Sequence, residues 1–105
     1  MSIMGADQRA PKFDALHVPP AVLEQGGVEV LRAVIVDGAL HVSLRRAFDQ
    51  PEVWGVLIAD VARHVGRLYA TETAMTEDEV IDRLVTMFRA EMDNPTDPGT
   101  TSAVS

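Results

Sequence analysis

The sequence predicts an α+β fold in two layers: an antiparallel β-hairpin packed on two amphipathic helices, with the sheet completed in a dimer. Three observations carry this expectation. Asp37-Gly38 lies between two apolar runs, and Asp-Gly suits the two left-handed positions of a type I′ hairpin turn. Two capping patterns follow, Asp49 with Glu52 and Thr76 with Glu79, each flanked by apolar residues; this is the signature of a capping box with a hydrophobic staple. Behind each pattern, apolar side chains recur at helical spacing.

The chain has 105 residues and no cysteine. That length bounds it to one domain, of a size that buries only about 60–65% of its unfolded surface. Without cysteine, disulfides, thiolate metal sites and thiol redox chemistry are excluded. Net charge is −7, and the acidic excess is concentrated over 49–92, with nine Asp/Glu against four Arg. Such a balance disfavours nucleic acid and anionic membranes, which reward positive charge. No apolar run approaches the ~20 residues of a membrane span. The stretch after Met1 lacks the basic and apolar regions of a signal peptide, so the expected location is the cytoplasm. No dinucleotide fingerprint, P-loop, nucleophile elbow, HExxH or CxxC occurs, so no cofactor, metal or catalytic residue is expected.

In chain order, 1–12 reads as a flexible arm, 13–93 as the single domain, and the Thr/Ser/Pro/Gly-rich 94–105 as a disordered tail. Residues 13–18 suit either a third strand or an extended lead into Pro19-Pro20. Pro20 opens one helical turn, which Gly26-Gly27 stops. The two-residue turn sets the hairpin register: Val36 faces Ala39, Ile35 faces Leu40, Ala33 faces Val42 and Leu31 faces Leu44. The last three pairs make one wholly apolar face, whereas Val30, Arg32, Val34, Val36, His41, Ser43 and Arg45 share the other. A one-residue slip would destroy that separation.

The first long helix is expected over about 50–70, with Trp54, Leu57, Ile58, Val61, Val65 and Leu68 on one stripe. The second is expected over about 77–92, with Ile81, Leu84, Val85, Phe88 and Met92 inward and Val80 and Met87 flanking. Glu77, Asp78 and Glu79 suit the positive end of its dipole. Asn94-Pro95 ends it.

A two-stranded hairpin is barely stable alone. With the helices over one face, Val30, Val34 and Val36 remain displayed on the other. A homodimer that continues the sheet at a strand edge or stacks those faces, with His41 at a face contact, is the expected remedy; an internal third strand is the competing one.

Candidate ligand-binding residues cluster in the first long helix. Asp60 and His64 stand one turn apart, so their side chains are within reach, as an acid–base pair or as a structural ion pair. Arg63 and Arg67 suit an anion clamp. Trp54 precedes Gly55, and a glycine inside a helix costs about 1 kcal/mol relative to alanine, which a close approach by another backbone would explain.

The runs Val30-Leu-Arg-Ala-Val-Ile-Val-Asp-Gly38 and Trp54-Gly-Val-Leu-Ile-Ala-Asp-Val-Ala-Arg-His64, with the Pro19-Pro20 step, resemble an uncharacterised family of short bacterial proteins catalogued as domain of unknown function 5076. The likeness covers roughly residues 15–92 and implies no activity. The leading functional expectation is a non-enzymatic structural or interaction module. The alternatives are a small-ligand or anion-binding protein using Arg63, His64 and Arg67, and a small hydrolase or isomerase using Asp60 and His64.

Overall fold

The structure, a computed structural model, describes residues 12–96 and 99–103. After an irregular lead over 12–19, α1 (Pro20–Gln25) forms the expected single helical stretch with proline in its first turn. Gly26 closes it in the left-handed region (φ 77°), and its N–H donates to the Val22 carbonyl at 2.8 Å.

The hairpin forms as its turn dictates. β1 (Leu31–Val36) and β2 (Ala39–Leu44) are antiparallel, with Leu31 opposite Leu44, Ala33 opposite Val42, Ile35 opposite Leu40 and Val36 opposite Ala39. Asp37 (φ 49°) and Gly38 (φ 82°) occupy the two left-handed turn positions, as a type I′ connection requires.

The third strand comes from an unexpected place. Where the sequence suggests an unstructured tail, β3 (Thr100–Ala103) runs parallel to β2, with His41 beside Thr100 and Leu44 beside Ala103. The sheet order is β1-β2-β3. Residues 13–18, the other candidate strand, stay irregular. The flexible arm expected over 1–12 lies, but for Lys12, outside the described residues, as do positions 97, 98, 104 and 105 of the tail. Two physical features admit β3. The outer edge of β2 offers unpaired backbone groups. Gly99 enters at φ 72°, where a Cβ would lie 2.7 Å from the Leu40 carbonyl oxygen, so only glycine fits that approach.

Two long helices follow: α2 (Glu52–Glu72) and α3 (Glu77–Asp93). The capping box of α3 is complete. The Glu79 N–H donates to Thr76 Oγ1 at 3.1 Å, and the Thr76 N–H donates to Glu79 Oε1 at 3.2 Å. The box expected at Asp49 and Glu52 does not form; Pro51 is the N-cap and no side chain caps the helix. The reason is local. A residue before proline is disfavoured in the α region, so Gln50 cannot be the first helical residue. The chain turns instead through the Gln50 and Pro51 carbonyls, which accept from the Val53 and Trp54 N–H groups at 3.2 and 3.0 Å.

The helices meet at Gly66, which is buried; a Cβ there would lie 3.1 Å from Ile81 Cγ1 and 3.2 Å from Ile81 Cδ1. Within the chain nothing makes the close approach expected at Gly55, no atom lying within 4 Å of its Cβ position. Val80, expected to flank the α3 stripe, is instead 6% exposed and is the one buried hydrophobic side chain among the described residues.

The α+β class and the hairpin therefore stand, but the two layers do not close on each other within the chain. Among the described residues, elements touch as β1 with β2, β2 with β3, and α2 with α3. Among these residues the backbone of neither long helix comes within 8 Å, Cα to Cα, of the sheet. The α2 stripe accordingly keeps Ile58, Val61 and Leu68 about half exposed, at 46%, 48% and 52%.

Candidate functional site

Helical spacing places Asp60, Arg63, His64 and Arg67 on one flank of α2, since residues three and four apart are surface neighbours. The pairs that form are not the expected ones. Arg63 Nη1 lies 3.5 Å from Asp60 Oδ1, and Arg67 Nη1 lies 3.4 Å from His64 Nδ1. Asp60 and His64 do not hydrogen-bond to each other. A guanidinium only donates, so in this contact His64 Nδ1 stands as the acceptor. Each arginine thus reaches back to the neighbour three residues earlier, and the two cations do not converge as a clamp. Both members of the Asp60–Arg63 pair are about two-thirds exposed, and such surface pairs contribute ~0.2–1 kcal/mol.

Beside this flank runs a shallow groove of about 410 Å³, lined by Phe48, Val53, Val56, Leu57, Asp60, Val61 and His64. Asp60 and His64 are its polar edge. Trp54 does not line it; its ring meets Phe48 edge-on, 5.4 Å between centroids and 73° between planes. The apolar lining, Phe48, Val53, Val56, Leu57 and Val61, was not among the candidate ligand residues, and Phe48 comes from outside α2. The signal for Phe48 was present, as the apolar residue ahead of the proposed cap. Arg63 and Arg67 lie outside the lining, so of the five candidate ligand residues the groove gathers only Asp60 and His64.

At the open end of the hairpin a smaller recess of about 140 Å³ is bounded by Glu29, Val30, Arg32 and Arg45 among others. Its cations are engaged. Arg32 Nη2 lies 3.1 Å from both Glu29 carboxylate oxygens, and Arg45 Nε donates to the Glu29 carbonyl at 2.9 Å. The Phe13 ring sits 5.3 Å from the Arg32 guanidinium, a cation–π distance. Arg32 shares its sheet face with the candidate interface residues, so the leading segment reaches that face. Val30 and Val34 are half-buried there, while Val36 and His41 are exposed. The opposite face is more open, with Leu31, Ile35 and Leu40 exposed by 38%, 66% and 41%.

Among the described residues, one carboxyl, that of Glu91, is clearly displaced from its ordinary behaviour. Thr96 donates through Oγ1 (2.7 Å) and through its N–H (3.0 Å) to Glu91, and these bonds hold the Glu91 carboxyl below the usual carboxylate range. They tie the segment after Pro95 back onto α3. Among the described residues, no three His, Asp or Glu side chains form a group able to hold a metal ion, and no helix is long and apolar enough to cross a membrane.

Arginines engaged by neighbouring side chains, set beside large uncovered apolar faces, define a small α+β protein whose most developed feature is packing surface. The chain belongs to the family described as Domain of unknown function (DUF5076), whose model matches residues 15–96. No curated protein matches it. Among solved structures it is similar to a protein of the photosynthetic bacterium Rhodopseudomonas palustris, provisionally named a pyruvate dehydrogenase. Identity is 46%, with 92% of this chain and 99% of that one covered, at a TM-score of 0.66.

Proposed function

We propose that this protein is a non-enzymatic self-association module, and that its folded unit is completed by a second copy of the chain. The observation that carries this reading is the exposed apolar surface. The total accessible area, polar and apolar atoms of the whole chain together, is 9177 Å², against about 5,800 Å² for a compact monomer of 11.4 kDa. Large side chains on both the sheet and the helix pair contribute to it, and among the described residues Val80 alone is a buried hydrophobic. Apolar side chains left open together on a sheet face and a helix stripe mark an interaction site. A cytoplasmic setting belongs to the same proposal; a chain without cysteine needs no oxidising compartment.

The alternative, a small-ligand or anion-binding protein using Arg63, His64 and Arg67, has less support. Both arginines are engaged within α2, and neither reaches the groove. The name of the similar structure points to no residue in this chain.

Light scattering on the eluting protein at micromolar concentration tests the proposal. The expected mass is a multiple of 11.4 kDa, with a melting temperature that rises with concentration, as mass action requires of a coupled assembly. A single-chain mass together with cooperative, concentration-independent unfolding would overturn it.

A further inference from the structure

We propose that the apolar sheet face of one copy packs on the open α2 stripe of a second copy, and reciprocally, so that the two layers absent within one chain form between two. This inference rests on the self-association reading and names its mode.

Four observations converge. First, two apolar surfaces of different shape are left open: a flat one carrying Leu31, Ile35 and Leu40, and a helical one carrying Ile58, Val61 and Leu68. A sheet-to-sheet dimer would cover the first and leave the second in water. A helix-to-helix dimer would do the reverse. A reciprocal exchange covers both in one closed twofold assembly.

Second, the area fits. The excess over a compact monomer is roughly 1,700–3,400 Å² per chain, the lower figure granting residues outside the described set the area of a fully extended chain. Two chains together then bury an amount in the range of obligate homodimers, about 2,000–5,000 Å² or more.

Third, charge favours unlike faces. Residues 28–48 carry two Asp/Glu against three Arg, whereas 49–92 carry nine Asp/Glu against four Arg. Sheet against helices sets a mildly basic segment on an acidic one, while helices against helices would oppose two acidic segments.

Fourth, the connection between the layers is held at both ends, which resists closure within one chain. At its start Arg45 bonds the Val30 carbonyl through its N–H (3.3 Å) and the Glu29 carbonyl through Nε (2.9 Å). At its end Phe48 packs edge-on against Trp54.

The cysteine-free chain makes the test direct. Ile35→Cys and Val61→Cys are prepared singly, unfolded and refolded as a mixture, and treated with a short bismaleimide. A covalent product of twice the chain mass is expected from the mixture and not from either variant alone. Leu40→Cys with Ile58→Cys is the second pair, should either first variant fail to refold. The double variant Ile35→Cys/Val61→Cys is expected to link between chains rather than within one. A dimer mass by scattering with either single variant linking to itself would overturn this mode while leaving self-association intact. So would a dimer in which the double variant links only within one chain. A monomer mass would overturn both.

Discussion

Gly55 and Gly66 lie in the same helix and differ in one respect: Gly66 is where α3 touches. Replacement by alanine should favour the helix by about 1 kcal/mol at either site, through reduced backbone freedom in the unfolded chain. At Gly55 nothing lies within 4 Å of the new Cβ, so that gain is expected in full. It amounts to about 4–8 °C in melting temperature for a domain of this size. At Gly66 the new methyl would meet Ile81 at 3.1 and 3.2 Å and the Glu77 carbonyl oxygen at 3.5 Å. The Ile81 side chain must move or the helices must part, and overpacking of this kind costs about 1–3 kcal/mol. Gly66→Ala is therefore expected to be neutral to ~2 kcal/mol destabilising, and always less stable than Gly55→Ala. Propensity cancels between the two variants, so their difference isolates the packing of α3 on α2. Urea unfolding at one fixed protein concentration measures it, because a coupled assembly makes stability depend on concentration. Equal shifts in the two variants would refute the helix contact at Gly66.

Three further outcomes follow from the capping, strand and terminal contacts. Thr76→Ala should lower stability by about 1 kcal/mol through loss of the capping box, whereas Asp49→Ala should change it little, since no side chain caps α2; comparable losses in urea unfolding would contradict this assignment. Gly99→Ala should detach β3, because its Cβ would overlap the Leu40 carbonyl oxygen at 2.7 Å; the readout is faster amide exchange along the β2 edge, and unchanged exchange would show that β3 does not depend on Gly99. The Glu91 carboxyl, held below its ordinary range by Thr96, should keep its bonds from neutral pH into mild acid. A depressed folded pKa adds stability above the unfolded value, and that contribution is lost as pH falls through the folded one. The Thr96 amide resonance followed downward from pH 7 should move only below the usual carboxylate range, and a midpoint at or above that range would remove the contact.

The candidate site was legible in part. Spacing alone put Asp60, Arg63, His64 and Arg67 on one helix flank, but several pairings satisfy that spacing. Side-chain reach chose the arginines' partners, and Phe48 entered the groove through a turn that Pro51 shaped. The missing α2 cap was in principle readable, because the restriction that proline places on Gln50 is local. The Glu29–Arg32 pair, three residues apart, was readable in the same way; the engagement of Arg45 by the Glu29 carbonyl across the hairpin, and of Arg32 by Phe13 of the leading segment, was not, since those partners are distant in the chain.

The sequence by itself determined whatever depends on short-range geometry. The positive φ values at Asp37 and Gly38 set the register of β1 on β2, Thr76 and Glu79 set the start of α3, and apolar spacing set the stripe of α2. These follow from steric limits and periodicities that act within a few residues. Tertiary structure alone decided that Thr100–Ala103 fills the β2 edge, that Gly66 rather than Gly55 admits the neighbouring helix, and that the hairpin stands clear of the helices. A binary pattern states which side chains must leave water. It carries no information on which surface, in which copy of the chain, will cover them, because burial of apolar area is non-directional.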